Sequence, residues 1–120
     1  MALARTDLSA VTQIGAGASS AVVTGAGNTV FIKSIQLYNL DDTNDQNVVI
    51  YIVPGSGAGV GYGSTTNKIA RIGLGTDDTF FYEPSYPITL QKSSNDSLAI
   101  LNEGQTNNSI NVYVCGDMEV

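Results

Sequence analysis

Apolar and polar residues alternate with a period of two along most of the chain, in short blocks separated by Gly, Asn, Asp, Ser and Pro. The last block shows this most clearly, since Ile110, Val112 and Val114 occupy every second position. Successive side chains of a β-strand point to opposite faces, so this alternation predicts half-buried strands and not helices. The pattern predicts strands over residues 20–24, 29–39, 48–53, 68–74, 78–83, 88–91, 97–101 and 110–115.

Seven or eight short strands at intervals of about ten residues are typical of an all-β antiparallel sandwich. Both jelly-roll and immunoglobulin-like connections fit this spacing. A chain of 120 residues has the size of one domain. We therefore expect a single β-sandwich over residues 1–120, with an extended N-terminal arm over 1–18. A surface loop is expected over 55–63, where five of nine residues are glycine.

The strongest strand patterns identify the expected core. Residues 48–53 are β-branched or aromatic throughout and precede Pro54. This predicts a central strand that is covered on both faces and ends where proline removes an N–H donor. Alternation in this strand and in the last two strands places six residues in the core, namely Ile50, Ile52, Leu98, Ile110, Val112 and Val114.

The composition excludes many kinds of enzyme chemistry. The chain has no histidine and a single cysteine, so the side chain best suited to proton transfer near neutral pH is missing and no internal disulfide can form. The glycine clusters match neither the dinucleotide-binding pattern nor the Walker pattern. We therefore expect a protein that is not an enzyme and that has no cofactor.

Charge and hydropathy argue against nucleic acid and membranes as partners. The net charge is −6, and the five Lys and Arg residues are scattered singly, whereas binding to a phosphate backbone needs clustered basic residues. The first residues lack the charged start and apolar stretch of a secretory signal. The longest strongly apolar run, residues 48–53, is too short to span a membrane. We expect a protein that is made and kept in a cytoplasm.

An acidic segment that contains Asp41, Asp42 and Asp45 partly resembles a calcium loop. A loop of that type needs Gly at its sixth position and Glu at its twelfth, but counting from Asp41 gives Gln46 and Ile52 there. A solvated turn explains the segment as well, although hard cations can use less regular oxygen clusters. The three aspartates are therefore only weak candidates as metal ligands.

The tyrosines offer amphipathic rings that could stack on a sugar or a peptide. Strand packing accounts for most of them, and only Tyr62, inside the glycine-rich loop, has no evident packing role. Its ring would either anchor a partner or fold back over the sandwich. A lectin-like module that binds carbohydrate or Ca²⁺ through the acidic turn and exposed tyrosines is therefore one candidate function.

The order of strands and turns over residues 30–119 resembles that of small bacteriophage virion proteins. The shared features are an apolar strand that ends in Asn39, a Val-rich strand that ends in Val53 and Pro54, a glycine-rich loop, a hairpin that enters Asp96-Ser97-Leu98, and a last strand that ends in Gly116 and Asp117. One departure is the turn over residues 91–95, which replaces the usual glutamate-glycine turn. The resemblance implies a head decoration (cement) subunit that stabilises the head, or alternatively a small tail or head–tail component.

The same resemblance implies a location in the virion, with the major capsid protein or another virion protein as partner. A homo-oligomer is expected, with a trimer favoured. A sandwich with few charges on its strand edges must also cover those edges in an assembly or tolerate aggregation. We expect the N-terminal segment and the glycine-rich loop to make the contacts, and the candidate interface residues are Leu3, Arg5, Leu8, Val60 and Tyr62.

Overall fold

The chain folds into β-strands joined by turns. The computed structural model describes residues 3–24, 28–53, 55, 67–92, 96–103 and 109–119, and these residues contain no helix. The strands in this part of the chain are β1 (Leu3–Asp7), β2 (Thr12–Ile14), β3 (Ser19–Thr24), β4 (Val30–Asn39), β5 (Gln46–Val53), β6 (Lys68–Leu74), β7 (Thr79–Tyr82), β8 (Ile88–Leu90), β9 (Ser97–Asn102) and β10 (Ile110–Glu119).

These strands form two antiparallel sheets that pack together as a sandwich. Sheet A has the order β1-β10-β4-β7, and sheet B has the order β3-β9-β5-β6. In sheet A, β1 and β2 pair with successive parts of β10 and together form one edge. At the other edge, β7 and β8 pair with successive parts of β4. Each sheet is therefore four strand positions wide.

The pairing is nested, as in a long hairpin that is wound into two layers. From the ends of the chain inward, β1 and β2 pair with β10, β3 with β9, β4 with β7 and β8, and β5 with β6. The pairs of β10 with β4 and of β9 with β5 join this ribbon into sheets. This nesting is the strand order of a jelly roll. In an immunoglobulin-like sandwich the first two strands are neighbours in one sheet. Here β1 and β2 share one edge of sheet A, and the next strand, β3, lies in sheet B.

All eight predicted segments form strands, and β1 and β2 are additional. Both additional strands lie within residues 1–18, the expected arm. β1 pairs with β10 along its whole length, and so does β2. Between them, the amide of Leu8 donates a hydrogen bond to the carbonyl of Val114 at 2.8 Å. The described part of this segment is therefore an edge of sheet A.

The core lies between the two sheets. Ile50, Leu98, Ile110, Val112 and Val114 are inaccessible to solvent, and Ile52 is half-buried against the same cluster, so the predicted core is confirmed. The other buried members of the cluster are Ile14, Val23, Val30, Ile32, Ile35, Leu37, Val48, Ile72, Leu74, Leu90 and Ile100.

Strand β5 is central in its sheet and covered on both faces, as its sequence predicts. Val48 and Ile50 belong to the core between the sheets. Val49 and Tyr51, which alternate with them, form a second buried cluster with Ala99 of the neighbouring strand β9. Because both faces of β5 are buried, residues 48–53 do not alternate between apolar and polar side chains.

Buried amides close one end of the core, where β4 leads to β5 and β6 leads to β7. Asn39, Gln46 and Asn102 are all buried there. The side-chain amide of Asn39 donates to the carbonyl of Gly75 at 2.9 Å, and its oxygen accepts from the amide of Asp41 at 2.9 Å. Asn39 therefore ties the turn after β4 to the turn after β6.

Candidate functional site

The outer face of sheet A holds a groove of about 360 Å³. Its lining residues on β4 and β10 alternate with core residues along these strands, so they point away from the core. In the register of β4 and β10, Tyr38 lies opposite Asn111, and Gln36 lies opposite Tyr113. Each ring therefore has an amide as its cross-strand neighbour. The groove is lined by Val11, Gln36, Tyr38, Thr79, Asn111 and Tyr113.

Tyr38 is held at the groove by the turn between β6 and β7. Its hydroxyl donates a hydrogen bond to the carboxylate of Asp77. Asp77 has a φ of 54°, in the left-handed region that Asp adopts more readily than most residues. The hydrogen bond from the hydroxyl, followed by burial and the nearby negative charge, raises the pKa of Tyr38 above its ordinary value of 10.0. The groove wall therefore keeps a neutral phenol whose hydroxyl is already oriented.

The acidic turn does not assemble its three aspartates into a metal site. The Asp41 carboxylate accepts hydrogen bonds from the amide and the hydroxyl of Thr43, both at 2.9 Å. Burial acts to raise the pKa of Asp41, but hydrogen bonds from Thr43 and Asn44 outweigh it and hold the pKa below its ordinary value. Asp42 and Asp45 are exposed. The described ranges, which include this turn, hold no group of three or more His, Cys, Asp or Glu placed to bind a metal ion.

The candidate interface residues lie in different environments. Leu3 and Arg5 belong to β1, and their side chains fall outside the part of the chain that is described. Leu8 is half-buried and packs against the core cluster. Val60 and Tyr62, like the rest of the glycine-rich loop after its first residue, lie outside the described residues. The side chain of Leu8 therefore contributes to the core of its own subunit.

A second exposed feature is the edge strand β7, which we call the aromatic edge (Thr79–Tyr82). Phe81 is 57% exposed and Phe80 is 40% exposed. Phe81 lies opposite Gln36 and Phe80 opposite Leu37 in the ladder with β4, so the two rings point to opposite faces of sheet A. The aromatic edge therefore presents apolar surface on both of its faces.

Sequence reasoning assigned most tyrosines to strand packing and did not identify the groove. The alternation along β4 and β10 does indicate which side chains point away from the core, and these include Gln36, Tyr38, Asn111 and Tyr113. Alternation within a strand does not reveal that β4 and β10, which are distant along the chain, are neighbours in space. Only the jelly-roll pairing combines their outward residues into one surface.

No family model matches the chain, and no curated protein and no solved structure matches it. In the described part of the chain no helix is long and apolar enough to cross a membrane. The function therefore has to be argued from the surfaces of the protein itself.

Proposed function

We propose that this chain is a structural protein of a bacteriophage virion, without enzymatic activity, that decorates the head and stabilises it. It is made in the host cytoplasm and ends in the virion, bound to the major capsid protein and to further copies of itself. The oligomer in this proposal is a trimer. A small tail or head–tail component is the alternative placement within the same structural class. The observation that carries the proposal is the aromatic edge.

The aromatic edge is a sheet edge whose four residues carry no charge. Among the described residues β7 is hydrogen-bonded to β4 alone, so its other side presents unpaired backbone groups. Monomeric proteins guard such edges with Lys, Pro or inward-pointing charges, because an uncharged apolar edge recruits further strands. The residues of β7 are Thr-Phe-Phe-Tyr, which carry no charge. We infer that another subunit covers this edge in the assembled particle.

The corresponding edge strand of sheet B makes the contrast clear. β6 ends the order of sheet B, as β7 ends that of sheet A. β6 carries Lys68 and Arg71, and Arg71 forms an ion pair with Glu103 at 2.9 Å. Charges at an edge disfavour strand addition. Assembly through β7 is therefore favoured over assembly through β6.

The N-terminal segment is less suitable for a test by truncation. Residues 3–7 form the strand that covers one side of β10, and Leu8 packs on the core. Removal of residues 1–8 would expose the edge of β10 and weaken the fold together with any contact. Substitutions on the aromatic edge separate the two effects, since Phe80 and Phe81 are already exposed.

The test uses particles of the phage that encodes the chain, prepared without this gene. Purified chain is added to these particles, and binding is measured by co-sedimentation. Native chain should bind to saturation at a fixed ratio to the capsid protein and raise the temperature at which the shell releases its DNA. A ligand stabilises the state that it binds preferentially. The Phe80→Ser/Phe81→Ser variant should bind at least about tenfold more weakly, which corresponds to about 1.4 kcal/mol.

The matched control is Ile69→Ser, which removes an apolar side chain of similar exposure, 45%, from the edge of sheet B. It should bind as the native chain does, and both variants should keep their melting temperatures. No co-sedimentation of the native chain would exclude the decoration role. Density for the chain on the tail would instead support the alternative, a small tail or head–tail component. An equal loss of particle binding in both variants would show that β7 does not make the contact.

A further inference from the structure

We propose that the groove on the outer face of sheet A binds a neutral saccharide. This inference is independent of the virion proposal, because it uses a different face of the molecule and needs no capsid. A volume of about 360 Å³ lies within the range of small-molecule sites, about 300–1,000 Å³. The aromatic and amide side chains that line the groove define the class of ligand.

The rings of Tyr38 and Tyr113 supply the apolar part of the site. Tyr38 lies opposite Asn111 and Tyr113 opposite Gln36 on adjacent strands, so the two tyrosines are diagonal neighbours. Diagonal neighbours across an antiparallel pair lie about 7–8 Å apart, within reach of aromatic side chains. A pyranose ring has an apolar face of C–H groups that packs on an aromatic ring, while its hydroxyls remain at the rim.

The amides supply the polar part. The side chains of Gln36 and Asn111 each offer a carbonyl acceptor and two N–H donors, and the hydroxyl of Thr79 adds one of each kind. Sugar hydroxyls are both donors and acceptors, so a carboxamide can satisfy two adjacent hydroxyls at once. The tyrosine rings can therefore pack on the apolar faces of a saccharide, while the neighbouring amides bind its hydroxyls.

Electrostatics favours a ligand without charge. Among the described residues that line the groove none is Lys, Arg, Asp or Glu, and the carboxylate of Asp77 is bound to the hydroxyl of Tyr38. The net charge of the chain is −6, which repels phosphate, sulfate and uronic acid groups. The described lining side chains also offer no ionised partner to a cation.

The location of the groove also favours a saccharide over a peptide strand. An extended peptide gains its affinity by adding main-chain hydrogen bonds to a free sheet edge. The groove lies mainly on β4 and β10, which are flanked on both sides by other strands, so their backbone groups are already paired. A ligand there must be recognised by side chains alone, as the hydroxyls and C–H faces of a sugar can be.

The test is a titration of the native, isotopically labelled chain with four neutral probes, cellotetraose, maltotetraose, mannotetraose and chitotetraose, followed by amide NMR. At least one probe should produce saturable shifts concentrated at residues 36, 38, 79, 111 and 113. Tyr113→Ala should weaken binding of that probe at least about tenfold. Tyr113→Phe keeps the ring and should retain most of the affinity.

Tyr86→Ala is the matched control, because Tyr86 is an exposed tyrosine that does not line the groove. It should bind as the native chain does. Gln36→Ala provides a second test if Tyr113→Ala fails to fold, and should also weaken binding. Absence of saturable shifts with all four probes would overturn the proposal. Shifts centred at other residues, or an equal loss of binding in Tyr86→Ala, would also overturn it. Shifts that depend on protein concentration without any probe would show that a second copy of the chain occupies the groove, and would overturn it as well.

Discussion

The hydroxyl of Tyr38 donates a hydrogen bond to the carboxylate of Asp77 and so joins the outer face of β4 to the turn between β6 and β7. The contact requires the protonated phenol, which is why the pKa of Tyr38 lies above 10.0. A group whose pKa is raised on folding stabilises the fold below its unfolded pKa. We therefore expect this contribution to be complete below pH 10.0 and lost as pH rises through the raised value.

Asp77→Asn should lower the pKa of Tyr38 toward its ordinary value. Asparagine tolerates the left-handed backbone of position 77 and keeps an acceptor oxygen, but it removes the negative charge. The measurement is a pH titration of the tyrosine ring carbons by NMR. Asp78→Asn is the control, because the Asp78 carboxylate accepts from the amide of Thr79 and not from Tyr38. An equal shift in both variants would mean that general charge, and not the contact, raises the pKa.

Val112→Asp should largely abolish folding. Val112 is inaccessible to solvent between the sheets, and an unpaired carboxylate in such a place costs about 3–5 kcal/mol. Urea denaturation measures the loss. Val11→Asp makes the same change at a valine that is 63% exposed and should alter the free energy of unfolding by less than about 0.5 kcal/mol. An unchanged melting temperature for Val112→Asp would instead indicate that the register of β10 is shifted by one residue.

Gln46→Met should stabilise the protein. Gln46 is 1% exposed, and within the described structure neither polar atom of its carboxamide has a hydrogen-bond partner. An unsatisfied buried amide costs about 1–3 kcal/mol, whereas an apolar group of similar shape has no such cost. The free energy of unfolding should therefore rise by about 1–2 kcal/mol, measured as a shift of the urea midpoint at constant slope. Gln91→Met, at an exposed position, should change little. A lower stability for Gln46→Met would show that its amide is satisfied in solution.

Gly116→Ala should destabilise the junction of β4 and β10. The ladder between these strands changes register between Cys115 and Gly116. A Cβ atom on Gly116 would overlap the carbonyl group of Phe31 and lie 3.1 Å from the Cα atom of Ile32. These are backbone atoms of β4, which cannot rotate away, so we expect a loss of about 1–3 kcal/mol or more.

Gly73→Ala is the matched control for that substitution. Gly73 also lies within a strand, and its added Cβ would meet only the side-chain oxygen of Asn47 at 3.6 Å, an ordinary contact. Removing a glycine at such a position restricts the unfolded chain and should leave stability unchanged or raise it by up to about 1 kcal/mol. Equal losses in both variants would contradict the close approach at Gly116.

Local alternation is enough to locate eight strands, the covered strand β5 and the predicted core residues. The reason is that side-chain direction along a strand repeats every second residue, whatever the strand pairs with. Ile110, Val112 and Val114 are buried for this reason. The short strand β2, Thr-Gln-Ile, has two polar residues in succession and so shows no alternation, whereas the equally short β8, Ile-Thr-Leu, does.

Tertiary pairing decides the rest. Asn39 is buried because the turns after β4 and β6 meet around it and satisfy its amide, a condition that no local pattern expresses. The choice of a jelly roll depends on which strands meet across long stretches of chain, and the groove depends on that choice, because Tyr38 and Tyr113 share a surface only when β10 lies beside β4. The alternation sets the face to which a side chain points, and only the pairing of distant strands sets its neighbours on that face.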